Sequence, residues 1–338
     1  MPDQIPLFES DVTPHMRQTR RTAWPAKGSA LDQRYERYRV LAAGLPHGLR
    51  MGTSSWGFPG WQGIVWARKR AASVLAKEGL HEYAQHPLLR TVGIDRGYYA
   101  RIPDDDLLRY AEQLPEGYPC CAKAPAGVTS ARLPGLNRHH PNPDYLSAER
   151  FIVEMIEPFL RCFARHSGPF VLQFSPPTNA RASDPVAFIE GLDRMLEALP
   201  RECRYAVEVR DRWVMTDAYR AVLARHGAAH VFNYWSAMPM PGIQARTVAP
   251  EAQPFVVVRL LLGPGKWYED QRQVFAPFDR LREIDDEMRR DVLEIIRRAA
   301  TGGRETFLLV NNKAEGSAPL TIEALAERFV AESHNHRP

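Results

Sequence analysis

Apolar residues recur along this chain in two alternating spacings. Eight short runs read as strands, because side chains on a strand alternate between two faces and each run has one apolar face or a continuous apolar core. They are LRMGTSSW (49–56), RTVGID (90–95), YPCCAKA (118–124), FVLQFSPP (170–177), YAVEVRDRW (205–213), AAHVFNYW (228–235), PFVVVRLLLG (254–263) and TFLLVNN (306–312). Helical signals separate most of them. A helix is expected near 70–85, and another is opened by Asp104, Asp105 and Asp106, acids suited to a helix N-terminus. A third starts at about Ser147, carries the stripe Phe151, Ile152, Met155, Ile156, Phe159 and Phe163, and should bend at Pro158. Asp184 with Pro185 caps the next. Thr216 and Gly227 bound another, Gly302 and Gly303 close one over 285–300, and the last runs from Thr321 to Val330. The Pro- and Met-rich stretch after the sixth strand predicts no regular element. Strands alternating with helices imply a parallel sheet. Eight such units in this length predict an α/β chain with a single (β/α)8 TIM barrel, irregular after strand 6. No GxGxxG follows the first strand, so a dinucleotide-binding sheet has no support.

Applied to each strand, the period of two collects polar residues at the C-terminal ends. In 205–213, Tyr205, Val207 and Val209 share one face, while Ala206, Glu208 and Arg210 share the other. Gln173 falls opposite Phe170, Leu172 and Phe174, and Arg259 opposite Val256, Val258 and Leu260. Lys123 falls opposite Cys120 and Ala122, and Asp95 opposite Val92 and Ile94. Asn311 departs from this pattern by sharing a face with Phe307 and Leu309. Ser54 and Trp56 end the first strand, and Asn233 ends the sixth. Parallel barrels keep their sites at these ends. An unpaired buried polar side chain costs about 1–3 kcal/mol, so a set of this size predicts a ligand site. Each member also has a structural reading: Glu208 with Arg210 as an ion pair, Gln173 and Asn312 on loop backbone, and Trp56, Trp61 and Trp213 as plugs in the mouth.

The charges indicate the ligand. Lys123, Arg210 and Arg259 outweigh Asp95 and Glu208 if all face inward, which favours a carboxylate, phosphate or phosphodiester. The chemistry expected is that of a metal-independent enzyme, a hydrolase or lyase, acting on an anionic, phosphate-bearing substrate. Glu208 is the candidate general base, with Lys123 or Asp95 supplying the proton. Tyr98, Trp213, Asn233, Asn311, Asn312 and Lys313 join Arg210, Arg259, Gln173, Trp56 and Ser54 as binding candidates. Two inward carboxylates with His230 fall short of a good zinc ligand set, and no cofactor is expected. His139 and His140 lie in a long loop and read as solvated.

With 338 residues, 44% hydrophobic and 25% charged, the chain can bury one large core, and its net charge of +4 permits an anionic partner without requiring one. The four cysteines, at 120, 121, 162 and 203, form no CxxC and read as reduced core residues. MPDQIPLFESDV has no export signal, and FVVVRLLLG is too short to span a bilayer, so a cytoplasmic protein is expected. Residues 1–45 read as a basic, partly flexible arm, with seven Lys or Arg against Asp32 and Glu36 between Arg17 and Arg39, ahead of a barrel domain over 46–335. The arm suits a solvated tail or a short surface helix at 31–43. Within it Gln4, Ile5, Pro6, Leu7 and Phe8 spell QIPLF, which resembles the peptide that docks bacterial replication and repair proteins on the sliding clamp. A DNA-maintenance factor is therefore an alternative to the enzyme, and a noncatalytic anion sensor is a third reading.

Several of these segments together resemble the domain-of-unknown-function-72 (YecE-like) family. They are GTSSWGFPGW (52–61), VGIDRGYYARIP (92–103), CCAKAPAGVT (120–129), VLQFSPP (171–177), AVEVRDRW (206–213) and VNNKAEGSAPLT (310–321), in the family's order over about 270 residues. The resemblance implies a TIM barrel with a site at the strand ends and no agreed activity. Where many members read VEINSTFY this chain has VGIDRGYY, so Gly93 replaces a glutamate and Asp95 an asparagine. The last motif places Lys313 and Glu315 beside the asparagine pair. Such departures mark a distinct subgroup, in which no mechanism can use the missing glutamate.

Overall fold

A computed structural model describes residues 25–133, 140–175, 184–266 and 268–335. The QIPLF peptide and the His139 side of the histidine pair lie outside the described residues. Eight strands form the centre: β1 (Leu49–Thr53), β2 (Thr91–Ile94), β3 (Cys120–Lys123), β4 (Ser167–Phe174), β5 (Tyr205–Val209), β6 (Ala229–Tyr234), β7 (Val256–Leu260) and β8 (Thr306–Val310). They close in sequence order, all parallel, and β8 returns to β1 with Leu49 beside Thr306 and Thr53 beside Val310. The fold is the α/β TIM barrel that the alternating pattern predicts.

Alternation sorts the strand residues into two apolar layers. Val207, Val209, Phe170, Leu172, Val256 and Val258 join the large cluster shared with the surrounding helices. Cys121, Val171, Ala206, Ala229, Val231, Val257, Phe307 and Leu309 form a separate cluster inside the barrel. This removes the anomaly at β8. Phe307 and Leu309 are the barrel filling beneath Asn311, as Val171 is beneath Gln173, Ala206 beneath Glu208 and Val257 beneath Arg259. The inward face is therefore apolar low in the barrel and polar only at its C-terminal rim.

Two glycines bring β1 and β2 unusually close. A Cβ on Gly52 would lie 1.9 Å from Thr91 O, and one on Gly93 would lie 2.8 Å from Ser54 O. No side chain fits at either position without moving backbone. A glutamate in place of Gly93 would therefore force the backbone of β1 and β2 apart.

The helices follow the caps with some differences. Asp184 accepts from Val186 N and Ala187 N at the head of Pro185–Ala198, and Thr216 caps Asp217–His226, which ends at Gly227 in the left-handed region. The stripe beginning after Ser147 passes through one π-turn, Ile152–Ile156, before Glu157–Cys162. A proline has no N–H to donate and crowds the carbonyl four residues back, and the wider turn just before Pro158 relieves both conflicts. After β6 the irregular stretch contains a seven-residue helix, Pro241–Thr247, with proline in its first turn. The last helix is longer than expected, Ala318–Asn335.

The second half of the basic arm belongs to the folded body. Ala30–Ala43 is a helix capped by Ser29, with Leu31, Tyr35 and Tyr38 buried. It packs on the C-terminal helix, where Tyr38 OH meets Glu323 Oε2 at 2.6 Å, Arg34 Nη2 donates to the same oxygen at 2.7 Å, and Arg37 pairs with Glu323 Oε1. No described helix is long and apolar enough to cross a membrane.

Candidate functional site at the barrel mouth

Because parallel strands in register end together, residues far apart in sequence meet at the C-terminal rim. β4 and β5 pair Gln173 with Glu208, β6 and β7 pair Asn233 with Arg259, and β7 and β8 pair Arg259 with Leu309. Asp95 and Arg210 follow the last residues of β2 and β5. The result is a chain of alternating charges. Asp95 Oδ2 accepts from Arg259 Nη2 at 3.1 Å, Arg259 Nη1 donates to Glu208 Oε2, and Glu208 Oε1 accepts from Arg210 Nε at 3.0 Å. Arg210 sits over Trp235, its Cζ 3.8 Å from the ring centroid. The Lys123 ammonium sits 3.4 Å above the centre of Tyr98.

Electrostatics divides the labour. Glu208 is fully buried with both oxygens occupied, and although burial pushes its carboxyl up, Arg259, Arg210 and Lys123 outweigh that and hold it down at about 2. Arg259, also buried, loses from burial but is driven above its usual range by Glu208 and Asp95. Lys123 behaves differently. Burial lowers its ammonium to about 7; Asp95 opposes this, while Arg259 and Arg210 add to it. A cation–π contact without a direct carboxylate partner stabilises the charge less than an ion pair does.

Polar valence remains unspent around this chain. Gln173 donates from Nε2 to Ser175 Oγ at 3.2 Å, but its buried Oε1 has no partner among the described residues. The same holds for Arg259 Nε and Ser54 Oγ. Such buried orphans are uncommon in folded proteins and are normally satisfied by water or a ligand. Two cavities open beside the chain. Arg210 lines one of about 530 Å³. Tyr98 lines another of about 880 Å³, and Ser175 and Ala131 border both.

The remaining candidates are arranged less directly. Trp56 is buried away from the rim, donating its indole N–H to Leu75 O at 3.0 Å and meeting Tyr110 edge-on, so it is a core residue. Asn233 donates to Val209 O at 2.8 Å, bridging β5 and β6 where their ladder stops. Asn312 Oδ1 accepts from Trp61 Nε1 at 3.1 Å and Ala318 N at 2.8 Å, which fixes the turn into the last helix. Asn311 Oδ1 accepts from Lys313 N at 3.0 Å, and Lys313 is itself buried in that turn. Glu315 is taken by Arg289, at 2.8 Å. Trp213 is 65% exposed and lines neither cavity, with Arg212 over its ring. His230 does not point inward. It belongs to the opposite face of β6 from Val231, accepts or donates at 3.0 Å with Tyr219 OH, and burial lowers it to about 4. Among the described residues no three His, Cys, Asp or Glu side chains gather as a metal-binding group. Two contributors were overlooked in the pattern. Trp235 lies two residues past Asn233, and Ser175 two past Gln173, so the same alternation extended past each strand end points to both.

Comparison with known proteins agrees with the architecture. A DUF72 family protein from Thermotoga maritima MSB8 superposes with a TM-score of 0.57 at 18% identity, covering 85% of this chain and all (100%) of that one. Another from Enterococcus faecalis V583 gives 0.55 at 17% identity, covering 84% and 97%. At such identities the likeness is one of fold. No curated protein matches the chain. The family model described as "Protein of unknown function DUF72" matches residues 50–338, which takes in every strand-end residue above, and the chain belongs to that family.

Proposed function

We propose that the protein is an enzyme, a hydrolase or lyase, that binds an anionic, phosphate-bearing substrate at the barrel mouth, with Arg210 and Lys123 meeting the charge. The observation that carries this reading is the composition of the charge chain. Arg259 lies between Asp95 and Glu208 and is neutralised by them, which leaves Arg210 and Lys123 facing only half of one carboxylate's demand. The unspent donors are therefore cationic. Lys123 carries the proton, since an amine near 7 is matched to transfer at neutral pH, whereas a carboxylate near 2 with both oxygens occupied is a weak base. Glu208 serves as the anchor that holds both arginines in place, and Asp95 orients Arg259 from the other side.

The test is a screen of phosphate monoesters and diesters for turnover with the wild type and Lys123→Met. Turnover that falls as pH rises through about 7, where the Lys123 ammonium loses its proton, and that disappears in Lys123→Met supports the reading. Activity indifferent to Lys123, or no turnover and no binding across the screen, overturns it. Thermal stabilisation by a ligand that is never converted would support an anion sensor built from the same cations. Recruitment to a sliding clamp through Gln4, Ile5, Leu7 and Phe8 is a separable proposal that rests on the QIPLF peptide. Deleting residues 1–10 should abolish clamp binding and leave any turnover unchanged; clamp binding that survives the deletion removes it.

A further inference from the structure

The smaller cavity differs in chemistry from the charge chain it adjoins. It lies between the ends of β4 and β5 and the helix Pro185–Ala198, and its walls include Tyr145, Leu146, Phe174, Phe188, Met195 and Val214. The aromatic walls are locked to one another: Phe174 meets Phe188 edge-on at 5.1 Å and Tyr145 at 6.2 Å. At about 530 Å³ it falls within the range of small-molecule sites. One wall is held in a costly conformation. Leu146 adopts φ of 64°, a region that a branched side chain rarely enters, and its Cδ1 occupies the space that a Cβ on Gly191 would need, 2.6 Å away. The absent side chain at 191 and the strained one at 146 thus shape this wall together.

Of the charge chain, Arg210 alone reaches this slot, whose rim also carries Arg194 and the carboxylates Asp184 and Asp211. Arg210 spends Nε on Glu208 and sits over Trp235, and its two Nη groups have no hydrogen-bond partner among the described residues. An apolar recess with an oriented, half-spent guanidinium at its edge is complementary to a molecule with one charged end and one apolar end. We propose that the slot binds the apolar limb of an amphiphilic anion, an alkyl or aryl phosphate or carboxylate, whose charged end lies on Arg210. This deepens the reading given under Proposed function and rests on its anion site.

Calorimetric titration with inorganic phosphate and then ethyl, butyl and hexyl phosphate tests it, with the matching alkanoates and uncharged alkanols as parallel arms. Affinity should climb about fourfold per methylene, the ratio equivalent to ~0.8 kcal/mol per buried CH₂, until the slot is full. Slopes in both anion series make the head group any small anion; a slope in the phosphates alone narrows it to phosphate. Ala187→Trp, on the partly exposed lining helix, should flatten the series while leaving inorganic phosphate binding within about twofold. Inorganic phosphate binding with no dependence on chain length would overturn the slot and spare the anion site. Alkanols that bind as well as the anions would overturn the role of Arg210. Loss of every anion, inorganic phosphate included, would overturn the anion site and the slot together.

Discussion

Lys123→Met should change how stability depends on pH. In the folded protein the ammonium titrates at about 7, because burial disfavours its charge, against an ordinary value of 10.5 in the unfolded chain. Between these values the unfolded state binds more protons than the folded one, so stability must rise with pH across that window. Below about 7 both states are protonated and the penalty of burying the charge is felt in full; above about 10.5 neither is, and the penalty has gone. Integrating from about pH 7 to about pH 9 gives a rise on the order of 2 kcal/mol attributable to this one amine. The side chain is 8% exposed, so solvent screening takes little from the figure. Urea unfolding of the wild type and of Lys123→Met at several pH values isolates the contribution, since other titrating groups are common to both. The wild type should gain on the variant by that amount as pH rises. Curves that stay parallel to within about 0.5 kcal/mol would mean that the amine titrates normally, and the argument for Lys123 as the proton carrier would lose its basis.

Three other substitutions probe separate parts of the structure. Glu208→Gln leaves the buried Arg259 and the partly buried Arg210 around a neutral amide and should cost about 3–5 kcal/mol in denaturant unfolding; a loss under about 1 kcal/mol would show that the arginines are not held by that carboxylate. Gly93→Glu, which restores the residue common in the family pattern, should lower stability by about 1–3 kcal/mol, because its Cβ meets Ser54 O at 2.8 Å; a neutral or stabilising result refutes the close approach of β1 and β2. Tyr38→Phe removes the 2.6 Å contact with Glu323 and should cost about 1 kcal/mol, read as faster amide exchange over residues 30–43, and unchanged protection would count against docking of that helix through Glu323.

The barrel was legible because its strands are short, parallel and apolar on both faces near the base, so a count of apolar runs separated by helix caps is close to a count of strands. The rim was legible for the same geometric reason. Once the strands are parallel and in register, Asp95, Lys123, Glu208, Arg210 and Arg259 have no means of ending far apart. Partnership between side chains was not legible. Glu208 reads as a base from its type and place, yet both its oxygens are taken by arginines, one just past the end of its own strand and one 51 residues later. In the basic arm the short helix expected at 31–43 is present as Ala30–Ala43, but its docking was not legible: Leu31, Tyr35 and Tyr38 are buried, and Arg34 and Arg37 are spent on Glu323. Charge counts taken from sequence treat every charge as free, and folding pairs many of them.

With Gly93 the backbone of β1 comes to within van der Waals limits of β2, and a side chain there would have to push the two strands apart. Asp95, two residues on, faces the same way at the rim and donates its negative charge to Arg259 from the side opposite Glu208. Asp95 thus supplies a second carboxylate to Arg259 one pleat above Gly93, nearer to solvent, since Asp95 is 30% exposed where Glu208 is fully buried. A carboxylate at this position neutralises Arg259 and leaves the cationic character of the mouth to Arg210 and Lys123. The proposed anion site accordingly falls on the β3 and β5 side of the rim, beside the cavity that Arg210 lines, and away from the β1 and β8 side, where Asn311 and Asn312 are committed to their own turn.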